Sequence, residues 1–231
     1  MPDEHMVSAL EQDGYAIVRG ALGTDQLAVL RGSIAQLLSA HSPAGIRGLV
    51  SKVPNVRVLS ESKAVRALIE PVLGAGARLI RSVLFNKSQE TNWQVAWHQD
   101  LAIAVQCQIE VAGFVSWSVK DGVTHVQPPV AILENMLTLR LHLDAADERN
   151  GALWISPGSH RSGRLPAREA AAVAARHGKK LCVVQAGDAL LLRPLVLHAS
   201  HKAISNDPRR VIHLEFAGTA LPEPLAWHDA A

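Results

Sequence analysis

The chain has 231 residues, of which 48% are hydrophobic and 19% charged, with a formal net charge of +2. A chain of this size and composition can bury a sizeable core, which excludes extended disorder and a need for disulfide staples. Lysine and arginine are spread along the sequence, so no basic patch indicates nucleic acid as a partner. No apolar run reaches the roughly 18 residues that a membrane span needs.

The redox and targeting features are those of a cytoplasmic protein. The two cysteines, Cys107 and Cys182, match no metal spacing and predict no disulfide framework. The first residues include acids where a secretory signal would carry basic residues followed by an apolar core. We therefore expect a cytoplasmic location, with a small molecule as partner and neither membrane nor nucleic acid involved.

Helices dominate the first third of the sequence. Residues 15–19 predict a short strand, and apolar residues at helical spacing predict a helix over 26–38, with Thr24 and Asp25 as caps. A second helix is predicted over 61–73, ending near Pro71 and Gly74. These elements predict an N-terminal helical layer over about residues 1–75.

Strands dominate after residue 78, with one more helix predicted over 167–176. The predicted strands cover 78–86, 137–144, 181–185, 189–192, 195–198 and 209–216. Early helices followed by strands, rather than alternating units, favour a mainly β fold, a β-sandwich or jelly roll with its core over about 78–220. We expect one domain over residues 1–231.

Two of these strands alternate strictly, so that each has one polar face. In the strand at 137–144 the polar face carries Thr138, Arg140, His142 and Asp144. In the strand at 209–216 one face carries Arg209, Val211, His213 and Glu215. Such a face either lines a polar cavity or meets solvent, and the pattern alone leaves both open.

A histidine and an aspartate two residues apart can supply two ligands of one metal face, because both point to the same side of a strand. His98 and Asp100 have this spacing, but so do His142 and Asp144. A second histidine from elsewhere would complete the facial triad of non-haem Fe(II) oxygenases. The motif alone does not decide which pair binds metal.

The C-terminal third offers that second histidine together with an arginine. A loop rich in turn-forming residues joins the strand that ends at His198 to the strand that begins at Arg209. Adjacent antiparallel strands would bring both side chains into one cavity, where the planar guanidinium suits a carboxylate. Taken singly, His198 also fits a core position and Arg209 a surface position.

Five segments in order resemble the phytanoyl-CoA dioxygenase family of Fe(II)- and 2-oxoglutarate-dependent oxygenases. They lie at residues 13–18 (DGYAIV), 97–100 (WHQD), 147–160 (DERNGALWISPGSH), 187–191 (GDALL) and 197–200 (LHAS), with Arg209 following. The resemblance implies a double-stranded β-helix, a jelly-roll fold of the cupin kind. It also implies Fe(II) ligands at His98, Asp100 and His198.

The same resemblance implies how the cosubstrate binds and what the enzyme does. Arg209 and Ser200 would hold the distal carboxylate of 2-oxoglutarate, and Gln99 and Asn86 are further cosubstrate candidates. With O2, such enzymes release succinate and CO2 and usually hydroxylate a C–H bond of a small molecule. The carboxylate of Asp100 disfavours halogenation, because halogenating relatives carry a small residue there.

Substrate contacts are expected from the polar strand faces and from a long insertion at residues 101–133. The faces supply Arg140, His142, Thr138 and His213. The insertion supplies Trp117 and, with it, Val119, His125 and Gln127, since loops on a rigid scaffold often set specificity. No lysine or arginine cluster is visible, so a CoA thioester is not carried over as substrate.

Two rival functions share the fold. A cupin-type metal enzyme without oxygen chemistry would have no use for Arg209 at its spacing from His198. A non-catalytic binding protein would tolerate loss of any of the four site residues, yet His98, Asp100, His198 and Arg209 are all present.

Overall fold

The computed structural model describes residues 4–39, 43–88 and 90–228. The α-helices in this part of the chain are α1 (Glu4–Gln12), α2 (Thr24–Leu38), α3 (Leu49–Lys52), α4 (Pro54–Ser60), α5 (Lys63–Leu73), α6 (Val130–Glu134) and α7 (Ala170–His177). The strands are β1 (Tyr15–Val18), β2 (Gly45–Arg47), β3 (Arg78–Lys87), β4 (Val95–His98), β5 (Ile103–Val105), β6 (Val115–Lys120), β7 (Val123–Gln127), β8 (Met136–His142), β9 (Leu153–Ile155), β10 (Lys180–Leu181), β11 (Ala189–Leu192), β12 (His198–Ser200) and β13 (Arg209–Ala217).

The largest sheet carries the alternating strands at its centre. Its order is β1-β11-β8-β13-β3-β2, and every neighbouring pair is antiparallel. The apolar sides of β8 and β13, with Leu139 and Leu214 among them, belong to a core cluster that also contains Leu30 and Ile34 of α2. The other side of these strands is therefore left free to face the second sheet.

A smaller sheet, in the order β10-β9-β12-β4, faces that polar side. In it β12 pairs with β4, so that His198 lies directly opposite His98. Side chains from both sheets line one common cavity. The mainly β, jelly-roll class predicted from the sequence is confirmed.

Residues 101–133 are more ordered than the predicted insertion. They contain a third antiparallel sheet, in the order β5-β7-β6. Asp121 and Gly122 join β6 to β7 with φ values of 50° and 78°. Positive φ at both central residues is the conformation of a type I′ turn, which suits the twist of a two-stranded hairpin.

Other predicted elements shift in extent. The strand expected at 181–185 is limited to Lys180–Leu181, and residues 195–197 precede β12 instead of forming a strand. Helix α2 has Gly23 as its N-cap without a side-chain cap, so Thr24 and Asp25 do not cap it. Pro71 lies inside α5, which ends before Gly74. No helix in residues 4–39, 43–88 or 90–228 has both the length and the hydropathy needed to cross a membrane.

Candidate active site

Two histidines and an aspartate converge at one end of the smaller sheet. The Nε2 atom of His98 lies 3.8 Å from one carboxylate oxygen of Asp100, and the Nε2 atom of His198 lies 3.7 Å from the other. One ligand atom from each residue lies within 4.8 Å of the others. These three groups could hold one metal ion, and they are the ligand types of an Fe(II) facial triad.

The backbone fixes which nitrogen each imidazole offers. His98 Nδ1 lies 2.9 Å from the carbonyl oxygen of Ala96, and His198 Nδ1 lies 3.1 Å from that of Val196. An Nδ1–H that donates to a carbonyl leaves the lone pair on Nε2, the atom that faces Asp100. In both cases the carbonyl belongs to the residue two positions earlier in the chain, and this contact orients the ring for metal ligation through Nε2.

The charges of the triad suit a cation. Burial would raise the pKa of Asp100, but the neighbouring His198 and His98 outweigh burial and lower that pKa to about 2. Burial lowers the pKa of His198 to about 4, against the opposing effect of Asp100. At neutral pH the site therefore presents a charged carboxylate and a neutral imidazole at His198, as metal binding requires.

Several buried hydrogen-bond donors beside the triad have no partner among the described residues. Arg209 is 2% exposed, and neither its Nε nor its Nη1 has a hydrogen-bond partner in the described residues. The same holds for Nε of Arg140, and the two ring nitrogens of His142, one a donor and one an acceptor in the neutral imidazole, also lack partners there. Buried unpaired donors are costly, so an anion that accepts from them is favoured here. A dicarboxylate cosubstrate fits this donor set.

Ser200 is held in place beside Arg209 by a lysine that sequence reasoning missed. Ser200 Oγ donates to the carbonyl oxygen of Gly151 at 2.9 Å and accepts from Lys87 Nζ at 3.1 Å. Lys87 is 1% exposed and lies opposite Arg209 in the β3–β13 ladder. Burial, and then the charge of Arg209, lower the pKa of Lys87 to about 7.

A chain of polar contacts crosses the large sheet on the cavity side. Arg140 Nη1 lies 3.1 Å from His213 Nδ1, and His213 Nε2 lies 2.9 Å from Glu215 Oε1. The same Glu215 oxygen accepts from Arg81 Nη1 at 2.7 Å. The four side chains come from β3, β8 and β13, so strand pairing sets their spacing.

The cavity between the two sheets encloses about 120 Å³. Most of its polar lining comes from the groups already described. The lining residues are Arg81, Phe85, Trp93, Val95, His98, Asp100, Arg140, Leu153, His198, Ser200, Arg209, His213 and Glu215.

Gln99, Asn86, Thr138 and His142 are not among those lining residues, and neither are the four candidates from residues 101–133. Gln99 is satisfied by backbone groups, since its Nε2 donates to Gly163 and Leu195 and its Oε1 accepts from Leu165. Asn86 Nδ2 donates to the carbonyl oxygen of Pro43.

Three others occupy different positions. His142 is buried on β8, where it pairs with Val211 of β13. Thr138 is buried on β8 and pairs with Glu215 in the ladder. Trp117 of β6 packs against a second apolar cluster, which includes Phe114 and Leu133.

In the competing pair, His142 and Asp144, the carboxylate binds an arginine. Asp144 accepts from the backbone N–H of Arg210 at 2.9 Å and from its Nε and Nη2 at 2.8 and 2.7 Å. The carboxylate is thus engaged by Arg210 of β13, and no metal-binding group that includes Asp144 or His142 is found among the described residues. The geometry thus separates the two pairs, which the motif alone left undecided.

The predicted pairing of the strands that carry His198 and Arg209 is wrong. His198 begins β12 of the smaller sheet, and Arg209 begins β13 of the larger one. The two side chains nevertheless line the same cavity, because the two sheets face each other across it.

A jelly roll with two histidines and one aspartate at its mouth defines the class of non-haem Fe(II) oxygenases. Residues 10–211 match the family model described as phytanoyl-CoA dioxygenase (PhyH). The chain therefore belongs to the phytanoyl-CoA dioxygenase family, and it is an Fe(II)- and 2-oxoglutarate-dependent oxygenase, as the resemblance predicted.

Individual relatives are more distant. An ectoine dioxygenase from Nocardia farcinica is 24% identical over 259 residues, covering 95% of this chain and 80% of the relative. EctD from S. alaskensis, solved with 2-oxoglutarate and 5-hydroxyectoine, has a TM-score of 0.76 at 20% identity, over 100% of this chain and 82% of that one. The non-haem α-ketoglutarate-dependent carbocyclase SnoK from nogalamycin biosynthesis has a TM-score of 0.71 at 16% identity, over 93% and 83%. At these identities the structures support the fold alone.

Proposed function

We propose that the chain hydroxylates an unactivated C–H bond of a small molecule. The observation that carries this proposal is that three potential metal ligands and Arg209, whose Nε and Nη1 have no partner among the described residues, line one cavity. When bound, Fe(II), 2-oxoglutarate and O2 supply the oxidation, in which succinate and CO2 leave and one oxygen atom enters the substrate.

The iron ligands in this proposal are His98 and His198 through Nε2 and Asp100 through its carboxylate. Backbone carbonyls hold both rings in that orientation before metal arrives. A pre-oriented ligand set loses little side-chain freedom on binding, which favours affinity. Because Asp100 keeps a carboxylate at the position that halogenation would need open, we assign hydroxylation.

The cosubstrate contacts are Arg209 and Ser200, with Arg140 and His142 beside them. The fork of Arg209 would pair with the distal carboxylate, since two parallel N–H groups match two carboxylate oxygens. Ser200 would reinforce that contact from the smaller sheet. We assign Gln99 and Asn86 to the scaffold, because backbone groups already engage their side-chain amides.

The remaining candidates divide by position. Arg140 and His213 line the cavity and are proposed to bound the substrate or cosubstrate space. We assign Thr138 and Trp117 to packing. A cupin-type reaction without oxygen is the weaker alternative, because it leaves the buried Arg209 donors without a use.

We also propose that residues 1–231 act as one catalytic domain. The N-terminal segment supplies β1 and β2 to the large sheet as well as helices to its outer face. A helical layer that could separate from the jelly roll would not contribute strands to it.

The test is release of labelled CO2 from C1-labelled 2-oxoglutarate by protein loaded with Fe(II) in air. We expect slow release without substrate and stimulated release once a substrate is supplied. His198→Ala and Asp100→Ala abolish release, whereas His177→Ala, an exposed histidine at the end of α7, leaves it unchanged. Folded wild-type protein that releases no CO2 under any condition would overturn the proposal.

A further inference from the structure

A second cavity lies next to the iron site. It encloses about 370 Å³, and Arg81 lines both it and the 120 Å³ cavity of the triad. Small-molecule pockets usually occupy about 300–1,000 Å³. The volume of the triad cavity falls below that range, and we assign this cavity to the cosubstrate. The volume of the neighbouring cavity lies within the range and suits a substrate.

Cationic side chains outnumber acidic ones in the lining of the second cavity. Of the described residues that line it, Arg47, Lys52 and Arg81 are cationic and Asp121 is the one acid. They reach the cavity from four separate elements, namely β2, α3, β3 and the β6–β7 turn. A concave, partly enclosed surface with an excess of positive charge concentrates anionic ligands.

Neighbouring groups hold the two arginines in place. Arg81 donates to Glu215, which His213 also contacts, so its guanidinium is fixed at the boundary between the two cavities. Arg47 pairs with Asp121 at the tip of the β6–β7 hairpin. A guanidinium that uses one N–H group on such a contact keeps others for a ligand, because it has five.

His125 adds a different kind of contact. It is 2% exposed, its Nδ1 lies 2.9 Å from the carbonyl oxygen of Val123, and it lines the same cavity. Nδ1–H donation to that carbonyl leaves a lone pair on Nε2. The cavity therefore combines cationic donors with one neutral acceptor, which suits an anion that also carries a hydroxyl or N–H group.

The charge of the iron site also leaves room for an anion. Fe(II) would bring two positive charges to Asp100, and Arg209 and Arg140 add two more, while Glu215 is offset by Arg81. A 2-oxoglutarate dianion would therefore leave about one positive charge uncompensated in a low-dielectric site. An anionic substrate beside Arg81 would neutralise part of this excess.

From these observations we infer that the substrate is an organic anion, a carboxylate or a phosphate ester, whose charged group binds Arg81, Arg47 and Lys52. The inference rests on the proposed function for the position of the reacting C–H bond near the triad. The anion-binding part of the inference is independent of the proposed function, because it depends only on the residues that line the second cavity.

The experiment is a binding screen on protein loaded with Fe(II) and saturating 2-oxoglutarate under nitrogen. The probes are size-matched carboxylates, phosphate esters, neutral amides and alcohols, and amines, ranked by thermal shift and measured by calorimetry. We expect binding to be confined to anions, with the two anionic arms deciding between carboxylate and phosphate. Arg81→Gln and Arg47→Gln each raise the Kd of those anions about tenfold, the loss expected for a charge-assisted hydrogen bond.

Matched controls make the result specific. Arg78→Gln removes an exposed arginine from the same strand as Arg81, in the lining of a different cavity, and should leave every Kd unchanged. Arg47→Gln should also leave the Kd of 2-oxoglutarate unchanged. The inference is overturned if the protein prefers neutral or cationic probes or binds no anion. It is also overturned if the Kd of the bound anions is the same in Arg81→Gln and Arg47→Gln as in wild type. Wild-type protein that fails to bind Fe(II) and 2-oxoglutarate before any probe is added counts instead against the proposed function.

Discussion

Arg209 shows most directly how a single side chain prepares this site. It is buried, and its Nε and Nη1 have no partner among the described residues, so folding has already removed most of its hydration. A carboxylate that pairs with it regains those hydrogen bonds without a further desolvation cost for the arginine. We therefore expect Arg209 to contribute more to cosubstrate affinity than an exposed arginine would.

Replacing Arg209 tests that expectation. Arg209→Gln should raise the Kd of 2-oxoglutarate by about 10- to 100-fold, the range expected for losing a charged hydrogen-bonding group. The Kd of Fe(II) measured without 2-oxoglutarate should change little. Arg210→Gln is the matched control, since Arg210 is the next residue and its guanidinium binds Asp144 instead. Equal 2-oxoglutarate affinity in Arg209→Gln and wild type would refute the assignment.

Lys87 gives the cosubstrate site a pH dependence. Its pKa is lowered to about 7 by burial and then by Arg209, and it donates to Ser200. A dianion binds the protonated lysine better than the neutral one, so the affinity for 2-oxoglutarate should be higher below pH 7 and fall as the pH rises through about 7. Calorimetry across this range should show the decline in wild type and a flatter profile in Lys87→Met. A profile that is unchanged in the variant would exclude Lys87 as its source.

Sequence patterns identified some of these residues and missed others for a physical reason. Strict alternation placed Arg140, His213 and Arg209 on polar faces, and the structure puts them on the cavity side. Lys87 ends a strand of mixed apolar and basic residues, so its burial follows from pairing with Arg209 and not from local pattern. Asn86 and Gln99, which the resemblance offered as cosubstrate candidates, have side-chain amides that donate to backbone carbonyl oxygens.

At the scale of elements, Asp188 joins the strand β11 to the segment after β1. It accepts from the backbone N–H groups of Gln185 and Gly20 and from Arg19 Nη1 at 2.7, 2.9 and 2.6 Å. Burial would raise the pKa of Asp188, but these donors outweigh burial and lower it. The carboxylate therefore stabilises the fold in its charged form.

This predicts a stability difference that depends on pH. Because the pKa is lower in the folded state, the contribution of Asp188 is present at neutral pH and is lost as the pH falls through the folded-state pKa. Asp188→Asn should lower the free energy of unfolding by about 2 kcal/mol at neutral pH, and the difference should shrink in acid. Urea unfolding of wild type and variant at neutral and at acid pH measures the two differences in free energy. Equal differences at both pH values would contradict the prediction.

The β6–β7 hairpin depends on its turn, which holds Asp121 against Arg47. Gly122 has φ of 78° with nothing within 4 Å of an added Cβ, so an alanine there meets backbone strain but no clash. Gly122→Ala should cost about 1–2 kcal/mol locally. Hydrogen exchange of the β6 and β7 amides should accelerate while β8 and β13 stay protected. Gly76→Ala, also in open space but without a positive φ, is the control, and equal exchange in both variants would contradict the prediction.

The hairpin was predicted only as an insertion because its sequence lacks the usual strand pattern. Most residues of β6 are exposed, so burial does not impose alternation on it. The second cavity was hidden in the same way. Arg81 lies far in sequence from Arg47 and Lys52, and the pairing of β2 with β3 brings them together, while the hairpin adds Asp121.

At the scale of the whole molecule, the class of fold was predictable and the division into sheets was not. Helical and alternating periodicities sufficed for a jelly roll with a helical layer. The loop between His198 and Arg209 looked like a hairpin, yet it crosses from one sheet to the other. Local turn chemistry does not distinguish the two cases, because the choice depends on partners distant in sequence.

The central claim is that His98, Asp100, His198 and Arg209 form one site for iron and cosubstrate. The most direct test is anaerobic titration with Fe(II), with and without 2-oxoglutarate, read by the weak visible charge-transfer band of the chelated complex. We predict a band that needs both components, is absent in His98→Ala and is weakened in Arg209→Gln at equal 2-oxoglutarate. Well-folded, metal-loaded wild-type protein that gives no band with 2-oxoglutarate would contradict the claim.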